Sequence, residues 1–389
     1  MAKAVYVGVS SKARKVKKMY VGVSNVARKI NKGYVGVGGV ARLFYSNSGI
    51  GYYGTITALS QARDLLAATT VGNYALFGGG YYPYTNPDTG TTSADYSNVV
   101  DAYNTSLTRS TPTAFSATRR ELAATTVGNY GLFGGGYNGS NSSVVNAYNT
   151  SLTRSTATAL STARRNLAAT TVGNYAVFGG GESYLTNVDA YNSSLTKSSP
   201  TALSAGRHYL AATTVGNYGL FGGGYGTNAS MMATVDAYNT SLTRSTPTAL
   251  SEARYSLSAT TVGNYALFGG GYDSAATSKY SATVDAYNTS LTRSIPTALS
   301  VGRSDLASTT VGTFALFGAG TRASNGFTYT VDAYDTSLSR STPDHLAASR
   351  RRLAATSVGS YALFGGGSTS TSVSGKSSTV DAYVYSVET

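Results

Sequence analysis

One string constrains this chain more than any other. Tyr74-Ala75-Leu76-Phe77-Gly78-Gly79-Gly80 returns as Tyr130 to Gly136, Tyr175 to Gly181, Tyr218 to Gly224, Tyr265 to Gly271 and Tyr361 to Gly367. A further copy, Phe314 to Gly320, carries Ala319 for one glycine. Successive copies start 43 to 56 residues apart. A period of that size means one supersecondary unit per copy, each too small to bury its apolar face alone and therefore stacked on its neighbours.

A full unit reads as four short strands. Leu122 to Val127, rich in Ala and Thr, is a first strand (a) with side chains small enough for a crowded centre. Gly128-Asn129 supplies a two-residue hairpin turn. Tyr130 to Phe133 is strand b, ending on the glycines; a loop of variable length leads to strand c, Val144 to Tyr148. Asn149-Thr150-Ser151 turns the chain into strand d, Thr153 to Leu160. Four antiparallel strands per unit, repeated, describe the blade of an all-β propeller rather than a solenoid coil. Seven glycine strands are followed by seven Val-Asp-Ala-Tyr-type strands, yet the last, Val380 to Tyr383, has no strand d after it. Tyr53 to Ser60 supplies a surplus strand before the first blade, so the expected architecture is a seven-bladed ring over residues 51–389 closed by its N-terminal strand, which leaves no free sheet edge.

Residues 1–50 are a different object. They hold seven Lys and three Arg with no acidic residue, against a net charge of +13 for the whole chain. Tyr6-Val7-Gly8-Val9, Tyr20-Val21-Gly22-Val23 and Tyr34-Val35-Gly36-Val37 each precede Ala-Arg, at Arg14, Arg28 and Arg42, and the third unit ends on Leu43-Phe44-Tyr45. The pattern predicts strand, turn, strand three times over. A segment this small packs on something else, which makes Arg14, Arg28, Arg42, Phe44 and Tyr45 candidate anchor residues. Ser46 to Gly51 reads as a linker. Clustered cations attract nucleic acid as well as acidic proteins or anionic polymers, but the regular spacing favours attachment to protein over a nucleic-acid arm.

The glycine-rich strand b, the aromatic closing strand c and the Arg after strand d together resemble the kelch repeat over roughly residues 52–386. Where that family carries Trp in strand d this chain has none, and Arg109, Arg154 and Arg244 stand near that place. The basic N-terminal repeat resembles short Tyr-Val-Gly-Val/Ala-Arg repeats of phage and prophage structural proteins. Together the resemblances imply a virion component of tail or fibre type, assembled in the host cytoplasm, that attaches to other virion proteins through residues 1–50. The alternatives are an intracellular, cytoplasmic kelch-type scaffold and, behind it, a carbohydrate-active enzyme.

The columns that carry chemistry are mostly architectural in this reading. Arg63, Arg119, Arg164, Arg207, Arg254, Arg303 and Arg350 recur with Asp101, Asp189, Asp236, Asp285, Asp332 and Asp381, Asn146 standing in for one acid. A guanidinium fork that meets a carboxylate or carbonyl between blades is a structural device when every blade has it. No Gly-Lys-Ser/Thr follows the glycines, which argues against a phosphate loop. Zero cysteines exclude thiolate metal sites and the Cys-Tyr cofactor of kelch-type copper oxidases. No metal site, cofactor or catalytic set is expected, and His208 and His345 read as incidental surface residues. Asn-Thr-Ser at Asn104, Asn149, Asn239 and Asn288 fits a glycosylation sequon but sits where Asn has turn chemistry of its own. No apolar run approaches the ~20 residues of a membrane helix, so no membrane insertion is expected. The oligomeric state is left open.

Specificity is expected in the loops between strands b and c, which share a face with the d-to-a connections. They hold Tyr81, Tyr82, Tyr84, Tyr96, Tyr184, Tyr225, Tyr272, Tyr280 and Tyr329 among Asn, Ser, Gly and Thr. Tyrosine gives a rigid ring plus a hydroxyl, a composition suited to binding loops, here for a host cell-surface glycan. Strand order puts the exit of residues 1–50 on the opposite face.

Overall fold

The computed structural model describes residues 49–86, 89–274, 279–324 and 326–386, together with the backbone of six strands between residues 6 and 46. Those six pair as three two-stranded hairpins, Tyr6–Val9 with Lys12–Lys15, Tyr20–Val23 with Val26–Lys29, and Lys32–Val37 with Val40–Ser46. The expected strand pairs are present in the backbone, and the turns that join them lie outside the described residues. The side chains of Arg14, Arg28, Arg42, Phe44 and Tyr45 lie outside the described residues.

The remainder is a seven-bladed β-propeller. Each blade is one four-stranded antiparallel sheet, as in blade 2: Ala123–Val127, Tyr130–Gly134, Val145–Asn149 and Arg154–Ala157 in spatial order. Thr-Thr-Val and Tyr-x-Leu-Phe runs suit a pleated sheet buried on both faces, and strand a faces the axis because its Ala, Thr and Ser side chains are narrow enough for seven to converge. The a–b turn closes between Val127 and Tyr130, with Gly128 at φ 51°. In the c–d turn Asn149 Oδ1 accepts from the amides of Ser151 (3.0 Å) and Thr153 (2.9 Å), so the sequon-like Asn is used as a turn residue.

The ring closes as the strand count requires. The seventh sheet takes its outer strand from the N-terminal side, in the order Ala354–Val358, Tyr361–Gly365, Val380–Tyr385, Ile50–Ile56. The closing strand is Ile50–Ile56 and not Tyr53 to Ser60. Strand c of this blade continues to Tyr385, where it pairs with Ile50. The carbonyl of Thr57, beyond the strand, is occupied by the Tyr103 hydroxyl at 2.8 Å. Ser46 to Gly51 is therefore not a plain linker: Ile50 is 1% exposed and packs with Val311, Leu346 and Tyr383. Elsewhere strand d is shorter than expected, two residues in five blades, because the chain turns off towards the next blade.

The core consists of wedges between blades. Val127 and Leu132 of blade 2 pack with Leu167, Phe178 and Tyr191 of blade 3, and the same set recurs around the ring. The glycines make this packing possible. The place of a Cβ on Gly134 is filled by the Phe178 ring of the next blade, at 2.8 Å. The third glycine donates its amide to the carbonyl of the next blade's buried arginine, at 2.8–2.9 Å in all seven interfaces. Among the described residues no helix is long and apolar enough to cross a membrane.

Candidate functional site

The seven recurrent arginines are fully buried. Arg63 Nη2 donates to Asp101 Oδ2 (2.7 Å) and to the Phe77 carbonyl (3.2 Å). Equivalent pairs join Arg164 to Asp189, Arg207 to Asp236, Arg254 to Asp285, Arg303 to Asp332 and Arg350 to Asp381, at 2.5–2.8 Å. The expectation of a link between blades needs correction: each side chain clamps the d-to-a connection onto strands b and c of the blade it is entering. The arginine's backbone carbonyl makes the inter-blade bond. Most of these aspartates also meet a second cation from strand d, Arg109, Lys197, Arg244, Arg293 or Arg340, at 2.9–3.8 Å. Strand c tyrosines such as Tyr103 and Tyr148 donate their hydroxyls to the connection at 2.6–2.8 Å, and burial pushes both phenols well above the ordinary value. These groups bond one another and hold the frame, while each of the seven guanidiniums leaves its Nε without a hydrogen-bond partner.

Immediately after each buried arginine the chain does something that strand patterns do not announce. Leu65, Glu121, Asn166, Tyr209, Ser256, Asp305 and Arg352 all adopt left-handed φ of 52–58°. Each donates its amide to the carbonyl of its counterpart in the preceding blade, Glu121 to Leu65, Asn166 to Glu121, and so on to Leu65 to Arg352, every bond at 3.0 Å. Seven backbone hydrogen bonds thus form a closed collar around the axis, on the face of the b–c loops. Below it runs an axial cavity of ≈ 280 Å³ lined by strand a Ala and Thr residues. Its threonine hydroxyls bond one another between blades, as Thr69 with Thr126 and Thr170 with Thr214, at 2.9 Å.

The collar lies inside two more rings. Asp64, Arg120, Arg165, His208, Tyr255, Ser304 and Arg351 precede the collar residues in sequence. They pair by backbone with the residues after the glycines, Tyr81, Tyr137, Glu182, Tyr225, Tyr272, Thr321 and Ser368. The collar column differs in every blade and the two flanking columns are mixed, Arg recurring three times in one and Tyr four times in the other, while the buried Arg on one side and the Leu at the start of strand a on the other are invariant among the seven copies. An L-residue in the left-handed region costs roughly 1 kcal/mol, a cost that glycine would remove. The chain instead places seven different non-glycine residues there.

The mouth so formed has two arcs. On blades 3 to 5, His208 lies 5.4 Å from Tyr184, 4.9 Å from Tyr209 and 5.5 Å from Tyr225 between ring centroids. Tyr255 continues the cluster to Tyr225 and Tyr272 (5.3 Å each), and Tyr272 to Tyr280 (5.5 Å). His208 is therefore no incidental surface residue. It is half-buried, its Nδ1 has no partner, and burial pulls its pKa below the usual value. On the other arc, the Arg120 guanidinium lies over Tyr81 at 4.4 Å and near Tyr96 and Tyr137 at 5.6 Å. Arg165 lies over Tyr137 at 4.1 Å and bonds Glu182 at 2.6 Å. The arcs face one space: the Tyr209 phenol, raised mainly by burial, also feels Glu121, Arg352, Arg165 and Asp305 from blades 2, 7, 3 and 6.

Of the tyrosines singled out in the sequence, the structure brings Tyr184, Tyr225, Tyr272 and Tyr280 into the aromatic arc and Tyr81 and Tyr96 into the cationic one. Tyr82 and Tyr84 lie on the hairpin arm of blade 1, Tyr81–Thr85 with Thr92–Tyr96, and Tyr329 packs on His345 at 4.6 Å. Sequence reasoning missed Arg120, Arg165, Tyr209, Tyr255, Arg351 and Arg352. The signal available for them was the divergence of two adjacent columns inside an otherwise repeated string.

No protein-family model and no curated protein matches the chain. Among solved structures it is similar to one titled "Structure of YjhT", with a TM-score of 0.55 and 11% identity, covering 74% of this chain and 99% of that one. The likeness is one of fold.

Proposed function

We propose that this chain is a non-enzymatic virion protein of tail or fibre type whose kelch-like propeller binds a host cell-surface glycan at the collar mouth, with residues 1–50 attaching it to other virion proteins. The observation that carries the binding reading is that blade-to-blade differences gather at one end of the axis, in the three concentric rings and the b–c loops that surround them. A frame that repeats itself seven times has no folding reason to vary mainly at that end. Tyr209 is 38% exposed beside Tyr255, with centroids 6.0 Å apart, and offers ring faces for the C–H face of a sugar. Flanking Arg, Glu, Asn and Ser side chains supply hydrogen bonds. Closing-strand register supports the attachment half of the reading: Ile50 pairs with Tyr385 at the end of the blade away from the b–c loops, so the chain leaves the propeller opposite the mouth.

The test uses the full chain. Binding to isolated host envelope fractions is compared for wild type, for Tyr209→Ser with Tyr255→Ser, and for the peripheral pair Tyr84→Ser with Tyr329→Ser. The expected result is a loss of about tenfold or more for the first pair, the scale of one to two stacked rings, and wild-type binding for the second. Equal behaviour of both pairs overturns the mouth as the site. Electron microscopy of the particle carrying the chain tests the virion assignment, which falls if the chain is absent from it.

A further inference from the structure

Four guanidiniums ring the mouth, and three have carboxylate partners. Arg165 bonds Glu182 at 2.6 Å and lies 3.5 Å from Glu121, Arg120 is 3.9 Å from Glu121, and Arg352 is 3.7 Å from Asp305. Arg351 has no carboxylate within ion-pair reach among the described residues. Its guanidinium rests over the Phe327 ring at 4.8 Å, and its Nε is buried without a hydrogen-bond partner. The acids whose charge acts on it are already engaged, Asp305 by Arg352 and Asp64 by Lys376 at 2.8 Å.

The position is rigid. Arg351 exchanges backbone hydrogen bonds with Ser368 (3.0 and 2.8 Å), and Arg352 is fixed by the collar bond to Asp305 (3.0 Å). Two arginines are therefore carried on consecutive, hydrogen-bonded positions of the backbone, one of them without a carboxylate partner. The cost is visible in Arg351, whose pKa is pulled down first by burial and then by Arg352. Like charges held together in a partly dry site are the usual arrangement for receiving an anion, since planar guanidinium forks match carboxylate and phosphate oxygens.

Resting on the mouth as the binding site, we propose that Arg351 and Arg352 receive an anionic group, a carboxylate or a phosphate, carried by a glycan whose ring lies against Tyr209. Arg352 and Tyr209 stand three places apart on the same closed collar of hydrogen bonds, so a ligand lying across its mouth meets both. An acidic protein could present the same charge, but the aromatic arc, with His208 and the tyrosines presenting ring faces, favours a saccharide.

The experiment measures binding of the full chain to three immobilised polysaccharides, a neutral glucan, a polyuronate and a sugar-phosphate polymer, with a polyglutamate peptide alongside. At least one charged polysaccharide is expected to bind tighter than the glucan by on the order of tenfold, and the better one identifies the source of the anion. Arg351→Gln and Arg352→Gln are each expected to weaken that binding on the order of 10- to 100-fold, the scale of a charge-assisted hydrogen bond, with unchanged thermal melting. Raising the salt should weaken wild type more than Arg351→Gln. Equal binding of the three polysaccharides, including none, overturns the proposal, as does polyglutamate binding as well as the charged glycan. If Tyr209→Ser abolishes glycan binding while Arg351→Gln leaves it intact, the anion site falls and the mouth stands; if neither variant matters, both fall.

Discussion

Asn146 is the one strand c position where a buried arginine meets an amide instead of a carboxylate. Arg119 Nη2 still bonds Asn146 Oδ1 at 2.7 Å and Nη1 the Val144 carbonyl at 2.7 Å, but its charge is not balanced. Burial pulls Arg119 down to about 10, with Arg154 adding to the effect. Arg154, which elsewhere would be the second cation on the aspartate, leaves Nε and Nη1 unpartnered. Asn146→Asp is therefore expected to stabilise the protein by about 2 kcal/mol at neutral pH, the difference between a neutral and a doubly charge-assisted hydrogen bond, read from urea unfolding. The sign follows from linkage: a base depressed in the folded state costs stability below its folded pKa, and that cost is relieved as pH rises above about 10 towards the ordinary guanidinium value. The variant's gain should thus shrink across that window. A neutral or destabilising effect at pH 7 would mean that the site tolerates the bare guanidinium through its carbonyl contacts alone.

Among elements, the glycine strand was the most legible and the outer strand the least. Three successive glycines have separate tasks. The first makes room for the neighbour's phenylalanine, the second turns with positive φ, and the third brings its amide to the next arginine's carbonyl. Only the second is ever replaced, by Ala319 at φ 62°. Gly134→Ala sets a methyl 2.8 Å from Phe178 and is expected to cost about 1–3 kcal/mol by forcing blades 2 and 3 apart. Urea unfolding checks this, and a cost under about 0.5 kcal/mol would show that the blades slide freely. The ends of strand d were misjudged because that strand has a partner on one side only. Its extent is set by where the connection leaves, which depends on a tyrosine hydroxyl more than thirty residues away in sequence.

At the scale of the molecule, seven strand c tyrosines, Tyr103, Tyr148, Tyr191, Tyr238, Tyr287, Tyr334 and Tyr383, each tie a blade to the connection before it. Burial raises all seven phenols above their ordinary value. An acid raised on folding stabilises the native state fully below the unfolded pKa of about 10 and loses that contribution as pH climbs towards the folded value. The ring is therefore expected to open cooperatively above about pH 10, with these tyrosines ionising together as it unfolds. Tyrosinate absorbance followed alongside circular dichroism checks this; full ionisation before loss of β signal would contradict it.

Closure of the ring could be read by counting strands, because a surplus at one end and a deficit at the other are sequence facts. The collar could not, since a left-handed residue bonded across the axis leaves no local pattern beyond divergence between copies. That collar has one further consequence. Its hydrogen bonds use only backbone atoms, and so are indifferent to which side chain stands at each position. Exchange of segments between near-identical repeats can move Arg120-Glu121 or His208-Tyr209 to another blade and leave the scaffold unaltered. On the proposed reading of the mouth, what such a protein recognises is written in the cyclic order of seven dipeptides, and two chains of identical composition would differ in specificity by permutation alone.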